Sequence, residues 1–208
     1  MFAIGLKDAL SLVLIPSICS NLVVMRQVGQ FKSTILRFWP MLLATIPSLL
    51  LGLWVLSGTD GATAKIILGL VLLMWCSFSF LKPDLRLPSG LEDRLAPISG
   101  ICTGFLNGLT GSQVMPVVPF LMSLHLGRTA FIQAANCSFI ISSLIMLVGL
   151  GYLGLFTGSD VVISTLGVLC VFIGVKVGAA IRERLSEKTF QKMILSILTT
   201  ISIGLLMS

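Results

Sequence analysis

Between Gly100 and Pro119 the chain reads GICTGFLNGLTGSQVMPVVP. Within it, Asn107, Thr110, Ser112 and Gln113 bring together neutral amide and hydroxyl donors. Such groups bind a small oxyanion without trapping it as a fixed cation would. Gly111-Ser112-Gln113 has the composition of a turn, and Pro116 can open a helix where its missing N–H costs little. A helix start there would turn free N–H groups and the positive dipole end toward the same spot. The competing employment of the four side chains is local, satisfying backbone that the turn leaves open. Gly100, Gly104 and Gly108 recur every four residues and share one helical face. That face either packs closely on another helix or opens backbone to a solute.

Other polar residues are scattered more thinly. Asn21 and Asn136 fall within apolar runs, where an amide either bonds a neighbouring helix or lines a pathway. Gly174 and Gly178 form a small-xxx-small step that reads as packing. Lys176 and Arg128 either snorkel to the membrane interface or draw anions to the inner mouth of a pathway. His125, the one histidine, reads as a loop or interface residue rather than a proton relay. A Ser112–His125 hydrolase would need the two within hydrogen-bond reach, and the pattern sets them about half a bilayer apart. The cysteines at 19, 76, 102, 137 and 170 show neither CxxC nor Cys/His spacing, so no metal site, disulfide framework or cofactor is expected.

The elements that must position these groups follow from composition. Of 208 residues, 56% are hydrophobic and 11% charged, with a mean hydropathy of +1.06; soluble domains carry about 25% charged residues. Continuous Leu/Ile/Val-rich runs define an all-α integral membrane protein rather than an alternating β-barrel. Six spans are expected near 9–25, 38–57, 65–82, 131–153, 161–181 and 190–207. The opening stretch belongs to a seventh segment, 97–124. The first residues lack the basic start and cleavage site of a signal peptide. The net charge of +6 reflects basic loops that set orientation, not a nucleic-acid partner.

Those loops also bear on segment 97–124. If it crosses once, both membrane faces become strongly basic. If it enters and returns, Arg26, Lys32, Arg37, Lys82, Arg86, Arg94, Arg128, Lys176, Arg182, Arg184, Lys188 and Lys192 share one side, against Lys7 and Lys65. The bias favours a re-entrant hairpin, with the loops 26–37, 82–96 and 182–192 cytoplasmic. Broken backbone at that depth survives only inside protein or beside a wet cavity. The stretch from Gly5 also lies loosely on that from Gly127, with paired loops of opposite charge character, as inverted repeats require. The expected organisation is a three-span repeat over 1–82, a linker over 83–96, and a hairpin with three spans over 97–208. No acidic residue sits deep in a span, so a carboxylate for proton or sodium coupling is missing.

SGICTGFLNGLTGSQVMPVVPFLMSLHLGRTAF resembles the signature of the sulfite exporter TauE/SafE family, with its spaced glycines followed by prolines. GVKVGAAIRERLSEKTFQKMILSILTTISIGLL is similar to that family's closing pattern, and GQFKSTILRFWPMLLATIPSLLLG to its first half. The resemblance covers nearly the whole chain. It implies a bacterial inner-membrane permease for small anions, such as sulfite, sulfonates or related organosulfur compounds. The family's first Gly-rich hairpin has no counterpart here. A half-equipped paralogue, a start upstream of Met1, and completion by a second copy or a partner chain all fit that departure. A non-transporting subunit is the second reading.

Overall fold

The computed structural model describes residues 6–29, 31–58, 87–88, 90–154 and 158–184, with scattered single positions between 63 and 77 and between 196 and 204. Within these, the fold is helical: α1 (Leu6–Val28), α2 (Phe31–Gly58), α3 (Glu92–Thr110), α4 (Val117–Ser123), α5 (Arg128–Tyr152) and α6 (Gly158–Arg184). Stretches Leu10–Val28, Phe31–Gly58 and Thr129–Tyr152 are long and apolar enough to cross a bilayer. Four expected spans match α1, α2, α5 and α6; each helix overruns the expected ends by one to several residues, except that α5 stops one residue before its expected end. The spans expected at 65–82 and 190–207 lie largely outside the described residues.

Two parallel helices form the spine. Arg37 of α2 meets Glu92 of α3, and further along Met41 faces Gly100, Thr45 faces Gly104 and Leu49 faces Gly108. Both numbers rise together, so the chain between α2 and α3 must travel back to the starting end. The glycine row makes the approach possible. A Cβ at Gly100 would collide with the Met41 carbonyl, one at Gly108 with the Leu49 carbonyl, and one at Gly52 of α2 with the Phe105 carbonyl. Small residues that let backbones touch are the usual means of helix association in lipid. The Thr45 hydroxyl sits 2.9 Å from the Met41 carbonyl and 3.3 Å from that of Gly100, tying the two helices as well as its own turn. Arg37 adds a bidentate pair to Glu92 at 2.7 and 2.8 Å; half exposed, it contributes less than about 1 kcal/mol.

α5 runs alongside in the same direction. One apolar cluster joins Phe38, Met41 and Leu42 of α2 to Ala96 of α3, Val117, Phe120 and Leu121 of α4, and Ala134 and Ala135 of α5. A second joins Leu49, Leu53 and Leu56 to Leu109, to Met146 and Leu150, and to Leu10 and Leu14 of α1. α1 is antiparallel to α5, because Cys137 Sγ lies 3.6 Å from Met25 Sδ at the other end. α6 runs parallel to α1, with Ser164 beside Leu12 and Gly167 beside Pro16. Pro16 explains the first of these contacts. It has no N–H to give the Leu12 carbonyl one turn back, and the Ser164 hydroxyl donates to that carbonyl instead. Neighbouring hydroxyls commonly re-satisfy a proline-broken turn in membrane helices.

This path collects the basic positions. α1 ends, α2 and α3 begin, α5 begins and α6 ends at one end of the bundle. Arg26, Lys32, Arg37, Arg94, Arg128, Arg182 and Arg184 therefore all sit near that end. On the outer surface α2 exposes Leu36, Leu43 and Leu50, with Trp39 and Trp54 fifteen residues apart along the same helix. Aromatic rings at the two limits of an apolar stretch suit the two membrane–water interfaces.

Candidate functional site

The segment containing the opening motif folds as a helix, a turn and a short helix. The halves are unequal. α3 has 19 residues and begins five before Pro97, whereas α4 has 7. The turn falls where the sequence placed it. α3 stops at Thr110 because Gly111 takes a left-handed φ of 76°, its N–H reaching the Asn107 carbonyl at 2.7 Å. A Cβ there would also collide with Leu10 of α1. Pro116 caps α4 after a cis Met115–Pro116 bond. The Leu87 N–H then meets the Ser123 carbonyl at 2.9 Å. The end of α4 thus lies beside the approach to α3, and the segment closes on itself.

At the turn, most polar groups serve the backbone. The Thr110 hydroxyl donates to the Leu106 carbonyl at 2.6 Å, and the Ser112 N–H donates to that hydroxyl at 3.3 Å. Gln113 reaches outward: its amide nitrogen donates to Ser143 Oγ of α5 at 2.7 Å. Ser143 lies near the middle of α5, so the turn is anchored at mid-bundle depth.

The two apolar clusters do not touch along the middle of the bundle. Between their contributions, α2 carries buried Thr45 and Ser48, α3 buried Ser99, Thr103 and Asn107, and α5 buried Ser138, Ser142 and Ser143. A polar layer therefore separates two greasy ones, with Gln113 entering at the same height. Ser99, Thr103 and Asn107 follow one another at four-residue intervals, directly beside the glycine row. Their neighbours on α2 are fixed by the glycines, so the polar row is held in place by backbone contact.

Several of these groups have no bonding partner. The hydroxyls of Ser99, Thr103 and Ser142, and both amide atoms of Asn107 and of Gln133, are buried and unbonded among the described residues. Asn107, Gln133 and Ser142 are fully buried. Leaving a buried polar group unsatisfied costs about 1–3 kcal/mol. Seven such atoms on α3 and α5 are a heavy penalty for structure alone. They leave neutral donors and acceptors uncommitted inside the bundle.

The remaining sequence-derived candidates distribute unevenly. Gly104 and Gly108 are packed on α2, so what the geometry gives them is the packing role. Asn21 and Asn136 are half-buried, and each bonds its own helix: Asn21 Nδ2 to Ser17 Oγ at 3.3 Å, Asn136 Nδ2 to the Ile132 carbonyl at 2.7 Å. Among the described residues neither bonds a neighbouring helix, because an acceptor one turn back lies within reach. Lys176 is exposed. Gly174 faces no described neighbour within 4 Å, and Gly178's surroundings fall outside the described residues. Arg128 is the first residue of α5; its side chain is outside them too. His125, at a φ of 49°, has Nδ1 3.2 Å from the Ser123 carbonyl. Ser99, Thr103, Gln133 and Ser142 were not anticipated. The four-residue spacing of Ser99, Thr103 and Asn107 was the available signal.

Apolar helices of spanning length, with polar groups buried among them, have the make-up of an integral helical membrane protein. The chain matches the family described as Sulfite exporter TauE/SafE over residues 1–205 of its 208. It belongs to that family, whose members are transporters and not enzymes. No curated protein and no solved structure matches the chain.

Proposed function

We propose that this protein exports small sulfur-containing oxyanions, sulfite or sulfonates, across a bacterial inner membrane. The observation that carries the reading is the row of buried, unbonded donors at mid-bundle depth. A transported oxyanion would pair with the hydroxyls of Ser99, Thr103 and Ser142 and with the amide of Asn107. Asn107, Thr110, Gly111, Ser112, Gln113 and Pro116 form the turned wall of the pathway, with Gly104 and Gly108 holding it against α2. Asn21 and Asn136 lie further along, and Lys176 and Arg128 mark the inner mouth.

The hairpin α3–α4 enters the bilayer from the cytoplasmic face and returns to it. The Leu87–Ser123 backbone bond and the single basic end support this arrangement. Repeats 1–82 and 97–208 are inverted copies joined by the linker 83–96. Single cysteines placed at Ser89 and Gly127, on a background without the native thiols, are expected to react with an impermeant maleimide from the same face. Labelling from opposite faces would overturn the re-entrant path.

With no carboxylate deep in the spans, the driving force is electrical. A cell negative inside expels an anion with ~2.3 kcal/mol per charge per 100 mV. In proteoliposomes loaded with sulfite, an imposed interior-negative potential is expected to accelerate efflux, and its collapse to slow it. An efflux rate indifferent to potential would overturn uncoupled export.

A further inference from the structure

No Lys, Arg, His, Asp or Glu occurs in 9–25, 38–58, 66–81, 95–124, 129–159, 161–175 or 193–208. Whatever enters the polar layer therefore meets neutral groups alone. The layer offers two kinds of them. The hydroxyls and the Asn107 amide nitrogen donate, while Asn107 Oδ1, also buried and unbonded, can only accept.

From these two facts we infer that the site selects the charge state of its substrate, taking singly charged oxyanions and rejecting doubly charged ones. This deepens the permease reading above and rests on it. The cost of moving an ion out of water rises with the square of its charge, so for a dianion it is about four times that for a monoanion of the same size. Neutral donors recover part of a single charge's hydration. They do not recover that of two, which would need a buried cation. The unbonded Asn107 oxygen sharpens the choice. A dianion presents acceptors only and would leave that oxygen facing negative charge. A protonated oxyanion brings an O–H that it can accept. Sulfite loses its second proton near neutral pH, so both forms coexist under ordinary conditions, and the site would draw on the hydrogen sulfite fraction.

Three probes separate the possibilities in proteoliposomes of the full chain, with the potential clamped at zero and leak through protein-free vesicles subtracted. Methanesulfonate keeps one charge throughout, sulfate keeps two, and sulfite titrates between them. At equal total concentration, sulfite flux is expected to fall with rising pH, approaching about tenfold per unit once the dianion dominates. Methanesulfonate flux stays level across the same range, and sulfate is not carried. Sulfite flux that holds or rises with pH overturns the inference, as does sulfate moving as fast as methanesulfonate; either result leaves the permease standing. If none of the three moves faster than in protein-free vesicles, the permease reading itself falls, and charge selection falls with it.

Discussion

Replacing Asn107 with leucine is expected to leave the protein folded, and somewhat more stable, while cutting anion flux by about 10- to 150-fold. The size follows from the roughly 1.5–3 kcal/mol that a hydrogen bond to a charged group is worth. The opposite sign for stability follows from the same side chain's present state. Both its amide atoms are buried without a partner, so their removal relieves a cost and breaks no bond. A merely structural asparagine would give the reverse pair of results, a lower melting temperature with flux intact. Melting in detergent and flux in proteoliposomes, measured on one preparation, decide between them.

Gly100→Ala is expected to lower thermal stability in detergent by several degrees, whereas Gly151→Ala raises it slightly. At Gly100 a methyl group would meet the carbonyl, carbonyl carbon and Cα of Met41, all backbone, and no side chain can swing aside. The helices must then separate, at the roughly 1–3 kcal/mol typical of overpacking. Alanine's better helix propensity returns at most about 1 kcal/mol. Gly151 lies in α5 with nothing within 4 Å of where a methyl group would sit, so there only the propensity gain applies. Equal melting temperatures for the two variants would mean that the α2–α3 approach is not what holds the pair together.

These two sites differ in how plainly the sequence announced them. The spacing of Gly100, Gly104 and Gly108 left two employments open, and the structure shows close packing because α2 supplies Gly52 and two small polar residues opposite. The turn at Gly111-Ser112-Gln113 was readable from local chemistry, since a left-handed residue ending a helix favours glycine. The extent of α3 was not. Pro97 looked like a beginning, yet its ring sits within the helix, where the carbonyl it leaves free belongs to Asp93 in the first turn. Most of the polar layer escaped notice for a different reason. Ser99, Thr103, Ser138 and Ser142 are individually ordinary in membrane helices, and only the packing of α3 and α5 along α2 brings them between the two apolar clusters. Gln133 looks interfacial in the sequence, and burial by its neighbours gives it meaning. Family membership was readable from the Gly-Pro segment and the closing span together.

Backbones that meet through glycine leave no cushion of side chains on which one helix can slide past the other. α2 and α3 must then travel as a single strut whenever the protein changes shape, carrying Ser99, Thr103 and Asn107 with them. Their link to α5 at the turn is slighter, one amide of Gln113 resting on one hydroxyl of Ser143. Any shift of that strut against α5 must also disturb the apolar packing on either side of the turn, where α2 shares one cluster with Ala134 and Ala135 and another with Met146 and Leu150.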